Sequence, residues 1–246
     1  MRLQHGWCKM YSGQGAYFIT ATGTDIGKTF VSSLIMRYAR LQGRDAVAFK
    51  PVMSGVQDYR DNDAATLLRA MGKEVTPDSV QSVSKWQFAA PLSPHRASAL
   101  EGQEILLSDV TEQCHVWLTK YSHSLRLIEG VGGVSVPLNT THTVIDWMVG
   151  LKLPVILVAG DYLGTLSHTL TALACLKVAG INVCAVIVNQ SKESIEHQQT
   201  IKTLRLFSPY HAPVLSLLRC QESNDALKDE SYISHNQDFF SFIDSL

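Results

Sequence analysis

The stretch Tyr17-Phe-Ile-Thr-Ala-Thr-Gly-Thr-Asp-Ile-Gly-Lys-Thr29 limits the folds open to this chain more than any other. It reads as a buried strand, a glycine-bearing turn ending in Gly27-Lys28-Thr29, and the start of an amphipathic helix. Val31, Leu34, Ile35 and Tyr38 continue at helical spacing, and Gly43 follows as a stop. A strand that feeds a helix through such a turn makes a cradle for oxyanions, because turn amides and the open helix N-terminus point the same way. In that cradle Lys28 would reach the β- and γ-phosphates of a nucleotide, and the Thr29 hydroxyl would ligate Mg²⁺.

The phosphate-loop pattern G-x-x-x-x-G-K-[ST] requires glycine at position 22, where this chain has Thr22. The strand before and the helix after the turn still separate it from a chance Gly-Lys-Thr on a helix.

Continuous apolar runs alternate with helical ones along the rest of the chain. Strands are expected at 17–21, 46–50, 125–129, 154–159, 183–188 and 213–217. Helices are expected near 28–41, 61–71, 94–100, 108–122, 142–150, 165–178, 193–206 and 235–245. Apolar strands separated by crossover helices predict an α/β fold, a mostly parallel sheet covered on both faces. Residues 1–16 read as a polar extension, and 17–246 as one α/β domain, a size that 246 residues suit.

Composition excludes several partners. A hydrophobic content of 46% is enough for a packed core. A net charge of −1 without a dense basic run gives no pull on nucleic acid or an anionic membrane. The longest apolar run, Leu153–Ala159, is strand-length and far short of a membrane span. Five scattered cysteines without C-x-x-C fit reduced thiols in a cytoplasmic protein, with Cys175 and Cys184 expected in the core. The nine histidines show no metal-site spacing.

In a doubly wound parallel sheet, ligands gather at the carboxyl ends of the strands. Lys50-Pro-Val-Met-Ser-Gly55 follows the second strand, so Lys50 holds a compact positive charge at that edge and Ser54 offers a hydroxyl beside it. Taken alone, Lys50 reads better as an exposed loop lysine. Asp63 falls in the first turn of a helix, where it either ligates Mg²⁺ or belongs to an ordinary cap with Asp61. Glu129 ends a buried apolar strand and precedes Gly130-Val131-Gly132-Gly133. A carboxylate there is placed to ligate Mg²⁺, and the glycines permit close backbone approach. Asn189, at the end of Cys184–Val188, can pair with a base edge or close a plain turn. Ser93-Pro94-His95 reads mainly as a structural helix start, with the substrate border the lesser reading.

Together these segments resemble the dethiobiotin synthetase family. The resemblance rests on Thr22–Thr29, Lys50–Gly55, Asp63, Ala90-Pro-Leu-Ser-Pro-His95, Glu129–Gly133, Asp146-Trp147, Leu153–Val158 with Leu163-Gly164, and Val188-Asn189, in order over about residues 17–217. It implies a P-loop fold of about seven strands and a cytoplasmic homodimer with the active site near the interface. It also implies ATP-dependent closure of a ureido ring from 7,8-diaminononanoate and CO₂ or bicarbonate. By the same resemblance, Lys28 and Lys50 would be catalytic, and Ser54 and Thr24 would hold the diamine. Asp25, Ile26, Gly27, Lys28, Thr29, Phe30, Asp63, Glu129, Gly130, Val131, Gly132, Asn189 and Gln190 would line the nucleotide. Thr29, Asp63 and Glu129 would hold Mg²⁺, and the substrate's tail would reach the partner subunit near 164–168.

The chain departs from the family's usual pattern at Ala21, at Ser167, and at Ser216-Leu-Leu-Arg219, where a Gly-x-[Ile/Leu]-Pro run is frequent. Three other readings share the core. A partition-type switch ATPase would carry a lysine where Gly23 stands, and a corrin-type amidotransferase would need a second domain. A degenerate nucleotide-binding protein would lack the acidic and basic set present here.

Overall fold

The computed structural model describes residues 15–192, 194, 196–219 and 226–246. The extension expected at 1–16 therefore lies, through residue 14, outside the described residues, and Ala16 already opens the first strand.

Six strands form the main sheet: β1 (Ala16–Ala21), β2 (Ala46–Phe49), β5 (Leu125–Glu129), β6 (Val155–Ala159), β7 (Val183–Asn189) and β8 (Val214–Leu217). Every neighbouring pair is parallel, in the order β2-β5-β1-β6-β7-β8. All six expected strands are present. The expected seventh is not part of this sheet. In its place, β3 (Val52–Ser54) and β4 (Trp86–Phe88) form a separate two-stranded parallel ribbon. Three-residue strands interrupted by Pro51 and Gly55 are too short to show an alternation, so the sequence pattern did not separate them from loop.

β1 is the pivot of the sheet. Its residues are buried along the whole strand, and it pairs with β5 on one side and β6 on the other. The chain leaves β1 toward β2 through α1 (Lys28–Leu41) and later runs the other way, from β6 through α7 (Thr165–Val178) and α8 (His197–Phe207). Right-handed crossovers in opposite directions place these helices on opposite faces. They also open a crevice at the carboxyl end of β1, which is where the phosphate loop emerges.

The core is built from what the strands present. Phe18 meets Trp147 of α6 (Val144–Leu151) edge to face, with ring centres 4.9 Å apart. Phe49 stacks on Trp117 of α5 (Leu107–Lys120) at 5.3 Å. α1 buries Val31, Leu34 and Ile35, as its spacing predicts. It packs on α2 (Asp63–Ala70) and on the C-terminal helix α10 (Gln237–Ser245). Asp146 opens α6 through a reciprocal cap, with its carboxylate accepting from the Thr143 amide at 2.7 Å and from the Thr143 hydroxyl at 2.9 Å. The Asp146-Trp147 pair thus serves the fold.

Several local expectations change. Asn62, rather than Asp61, caps α2 by accepting from the Ala65 amide at 2.9 Å. Ser93 stands at the cap position of α4 (Pro94–Leu100) but turns its hydroxyl to His95 Nδ1 at 3.0 Å and caps no backbone amide. The helix expected at 235–245 is preceded by a separate one, α9 (Glu230–His235), and the short α3 (Pro77–Val83) was not anticipated. Cys175 and Cys184 are half-buried, whereas Cys114 is fully buried, and burial pushes its thiol up to about 12. Among the described residues no helix is long and apolar enough to cross a membrane.

The aromatic cluster Phe239–Ile243 packs within the chain. Phe239 and Ile243 are wholly buried, and Phe240 lies 4.7 Å, centre to centre, from the Tyr38 ring of α1. Phe239→Ala should therefore lower unfolding free energy by about 3–5 kcal/mol, the usual cost of emptying a buried aromatic site. Urea denaturation measures this; a loss below about 1 kcal/mol would show that the helix does not belong to this core.

Candidate active site at the carboxyl edge of the sheet

The turn after β1 runs close to its neighbours. Thr22 extends the strand, its amide bonded to the Val158 carbonyl at 3.0 Å. Its φ is not positive, so the residue that breaks the phosphate-loop pattern needs no glycine conformation here. Asp25 is left-handed at φ 58°, an uncommon state for a side-chain-bearing residue. Gly27 caps α1 at φ 97°. A Cβ on Gly27 would be strained by that φ and would collide with the Asn189 amide nitrogen.

Lys28 is the first residue of α1, and its side chain folds back along the turn. Its Nζ donates to the Gly132 carbonyl at 2.8 Å and to the Gly23 carbonyl at 3.4 Å. This ties the phosphate loop to the Glu129–Gly133 loop. Burial pushes Lys28 down to about 8, helped by the like charge of Lys50 and opposed by Glu129, Asp63 and Asp25. Both ammonium groups reach the Glu129–Gly133 loop, Lys28 at the Gly132 carbonyl and Lys50 at the Glu129 carboxylate.

Lys50 leaves the sheet at the end of β2 and is buried, at 4% exposure. Its Nζ donates to Glu129 Oε1 at 2.7 Å, to Asp63 Oδ2, and to Thr29 Oγ1 at the limit of 3.5 Å. The Thr29 hydroxyl donates to the same Glu129 oxygen at 2.6 Å. Burial alone would lower the Lys50 pKa, but Glu129 and Asp63 outweigh it and raise it. Asp63 is held below its ordinary value: burial pushes it up, and the charge and hydrogen bond of Lys50 pull it further down. The stabilisation from that pairing is present above the ordinary value of 3.8 and is lost as pH falls through the folded value.

Residues far apart in sequence thus converge. Thr29, Lys50, Asp63 and Glu129 share one hydrogen-bonded cluster, and the Lys28–Gly132 bond joins the same two loops beside it. The open readings of Lys50 and Asp63 narrow accordingly, since Lys50 is no exposed loop lysine and Asp63 sits beside the cap, paired with Lys50. Asn189 joins the turn from the other flank, its Nδ2 donating to the Ile26 carbonyl at 3.0 Å. Gln190 accepts from the Arg219 amide through Oε1 at 3.0 Å. Thr24, Asp25 and Phe30 are exposed along the turn, Ile26 is half-buried, and Gly130 and Val131 are buried behind it. Ser54 ends β3 half-buried, at the lip nearest Lys50 in sequence.

The cluster suits a hard cation. Thr29, Asp63 and Glu129 offer only oxygen, as Mg²⁺ prefers, with phosphates and water completing its shell. Glu129 is wholly buried, and its Oε2 has no hydrogen-bond partner, which leaves a lone buried anionic oxygen for such an ion. Among the described residues no group of three or more His, Cys, Asp or Glu forms a self-sufficient metal cage.

Sequence reasoning missed Asp161 and His197, a buried pair on the far side of the crevice that bonds the half-buried Ser216, which the sequence marks only as a departure from the family's run. The signal was available, because Asp161 follows the end of β6 as Glu129 ends β5.

A parallel sheet whose central strand delivers this turn defines a P-loop nucleoside-triphosphate protein. One solved structure, the MinC:MinD cell division protein complex of Aquifex aeolicus, covers 87% of this chain and 83% of its own at a TM-score of 0.52 and 11% identity, which shows the fold alone. The model of a family described as an AAA domain matches residues 15–227. Curated relatives are closer. The ATP-dependent dethiobiotin synthetase BioD of Caulobacter vibrioides strain NA1000 is 42% identical over 82% of this chain and 91% of its own. That of Acidiphilium cryptum strain JF-5 is 44% identical over 70% and 78%. The chain belongs to the ATP-dependent dethiobiotin synthetase family.

Gly27→Ala should weaken ATP binding at least about tenfold, or about 1.4 kcal/mol, by straining the turn. Titration calorimetry, with circular dichroism as a fold control, measures this; undiminished affinity would show that the turn does not need its left-handed glycine.

Proposed function

We propose that this chain uses ATP to carboxylate 7,8-diaminononanoate and close its ureido ring, giving dethiobiotin, ADP and phosphate for biotin synthesis. The observation that carries the reading is that two lysines reach one loop beside the phosphate turn: Lys50, from the end of β2, pairs with buried Glu129, and Lys28, at the start of α1, bonds the Gly132 carbonyl.

In this reading CO₂ adds to one substrate amine as a carbamate. A carbamate oxygen attacks the γ-phosphorus of ATP, and ADP leaves. The second amine then attacks the resulting mixed anhydride and expels phosphate as the ring closes. Negative charge moves among oxygens at each stage, so positioning and electrostatics are the protein's contribution. Lys28 holds the β- and γ-phosphates. Lys50 stabilises the carbamate and the charge it carries to phosphorus. Thr29, Asp63 and Glu129 would hold Mg²⁺, which when bound supplies charge neutralisation for the triphosphate. Ser54 and Thr24 hold the nitrogen end of the diamine. The backbone of 25–30 and 129–132 lines the nucleotide, with Asn189 and Gln190 toward the base.

The active form in this proposal is a cytoplasmic homodimer, with the substrate's carboxylate tail reaching the partner near 164–168.

Incubation with diaminononanoate, bicarbonate and ATP·Mg should yield dethiobiotin, read by mass. ATP hydrolysis indifferent to the diamine, without that product, would sink the assignment. Lys50→Ala should cut turnover by about 10²–10³, the scale of a lost charge-stabilising donor, with far less change in ATP affinity. Equal losses in the two quantities would mean that Lys50 serves only to bind nucleotide.

A further inference from the structure

The site divides at the phosphate turn. Lys50, Asp63 and Glu129 lie on the β2–β5 side, where the chemistry is proposed. On the β6–β8 side lies a second polar cluster with no part in that chemistry. Asp161 and His197 are 4% and 6% exposed. Asp161 Oδ2 meets His197 Nδ1 at 2.7 Å, and His197 Nε2 meets the Ser216 hydroxyl at 2.9 Å. Thr200 donates to Asp161 Oδ1 at 3.2 Å, Ser194 donates to Asp161 Oδ2, and Ser191 donates to the Asp161 carbonyl.

The connectivity ties three elements together. Asp161 follows β6, His197 opens α8, and Ser216 lies within β8 opposite Val188 of β7. One residue beyond Val188 stands Asn189, whose amide reaches the phosphate turn at the Ile26 carbonyl. Next to it, the Gln190 amide donates to the Leu217 carbonyl at 2.9 Å, and the Gln190 side chain accepts from Arg219. The order carboxylate, imidazole, hydroxyl is that of a hydrolytic relay. Here, however, Ser216 sits inside a paired strand and the carboxylate is further occupied by Ser194 and Thr200, so the set holds backbone in place.

We propose that Asp161, His197 and Ser216 are positioning residues for the nucleobase, fixing the β7 and β8 ends so that the Asn189 amide forms its recognition edge. The proposal rests on the reading of Asn189 as the base contact. Among the described residues no hydrogen bond occupies Asn189 Oδ1, while its Nδ2 is anchored, so the amide presents a fixed acceptor. An acceptor at a fixed place favours a base that bears an exocyclic amine over one that bears a carbonyl there. Its precision depends on how firmly β7 and β8 are held, which is what the buried relay provides.

The test compares two ligands, ATP and inorganic triphosphate, each with Mg²⁺, by titration calorimetry. Triphosphate reports the phosphate turn alone, and ATP adds the base. Ser216→Ala should weaken ATP binding roughly tenfold, the scale of one lost hydrogen bond to a charged network, with triphosphate affinity retained. Ser216→Thr, which restores a hydroxyl, should recover ATP binding. Asp161→Asn should act as Ser216→Ala does and should also narrow the preference for ATP over GTP. Equal weakening of both ligands, or no weakening of either, would overturn the proposal and leave the relay a packing feature. These readouts do not involve the diamine, so failure to make dethiobiotin would count against the proposed reaction and not against this assignment.

Discussion

A carboxylate with no access to water sits at the end of the strand beside the central one, and the site is organised around satisfying it. Glu129 is wholly buried. An isolated charge there would be expensive, and the chain offsets that cost with Lys50 at 2.7 Å and the Thr29 hydroxyl at 2.6 Å. Those two contacts bring the end of β2 and the start of α1 to the same oxygen. Pairing of this kind is weak evidence for net stability, since desolvation of both ions opposes it. Its effect is on arrangement: breaking either contact leaves the other elements without their common anchor.

The same acidic oxygens are those that fit a hard cation. Lys50 and a magnesium ion would therefore draw on one set of donors, with Glu129 Oε2 the atom that Lys50 does not use. Lys28 works differently. It is bound to two carbonyls and not to a carboxylate, and its lowered pKa follows from burial and from Lys50. A phosphate would supply the anion it lacks.

The main sheet was legible in the sequence because its strands are continuous apolar runs that end at polar residues. Lys50 and Asn189 could be picked out for the same reason, each the first polar group after such a run, and Glu129 as the carboxylate that ends its strand. Legibility failed where elements are short or where contacts are long-range. Val52–Ser54 and Trp86–Phe88 carry too few residues to display a period, and they pair only with each other. Asp61 and Asn62 are equally good caps on paper, and the choice was made by the path of the chain. Asp161, His197 and Ser216 are spread over fifty-five residues, and only the parallel pairing of β6, β7 and β8 makes them neighbours.

The small ribbon has a bearing on how the site can respond. β2 ends at Phe49 in the main sheet and β3 begins at Val52 in the ribbon, so Lys50 and Pro51 are the whole of the link between two separately bonded sheets. The Lys50 amide is bonded to Val83 and the Pro51 carbonyl to Lys85 and Trp86, all on the ribbon's approach. The Lys50 ammonium and the Ser54 hydroxyl thus lie on one five-residue segment that spans both sheets. The junction is held at both ends, by the ribbon's backbone and by Glu129 on the ammonium, so the orientation of the small ribbon is set at the same residue that pairs with the buried carboxylate.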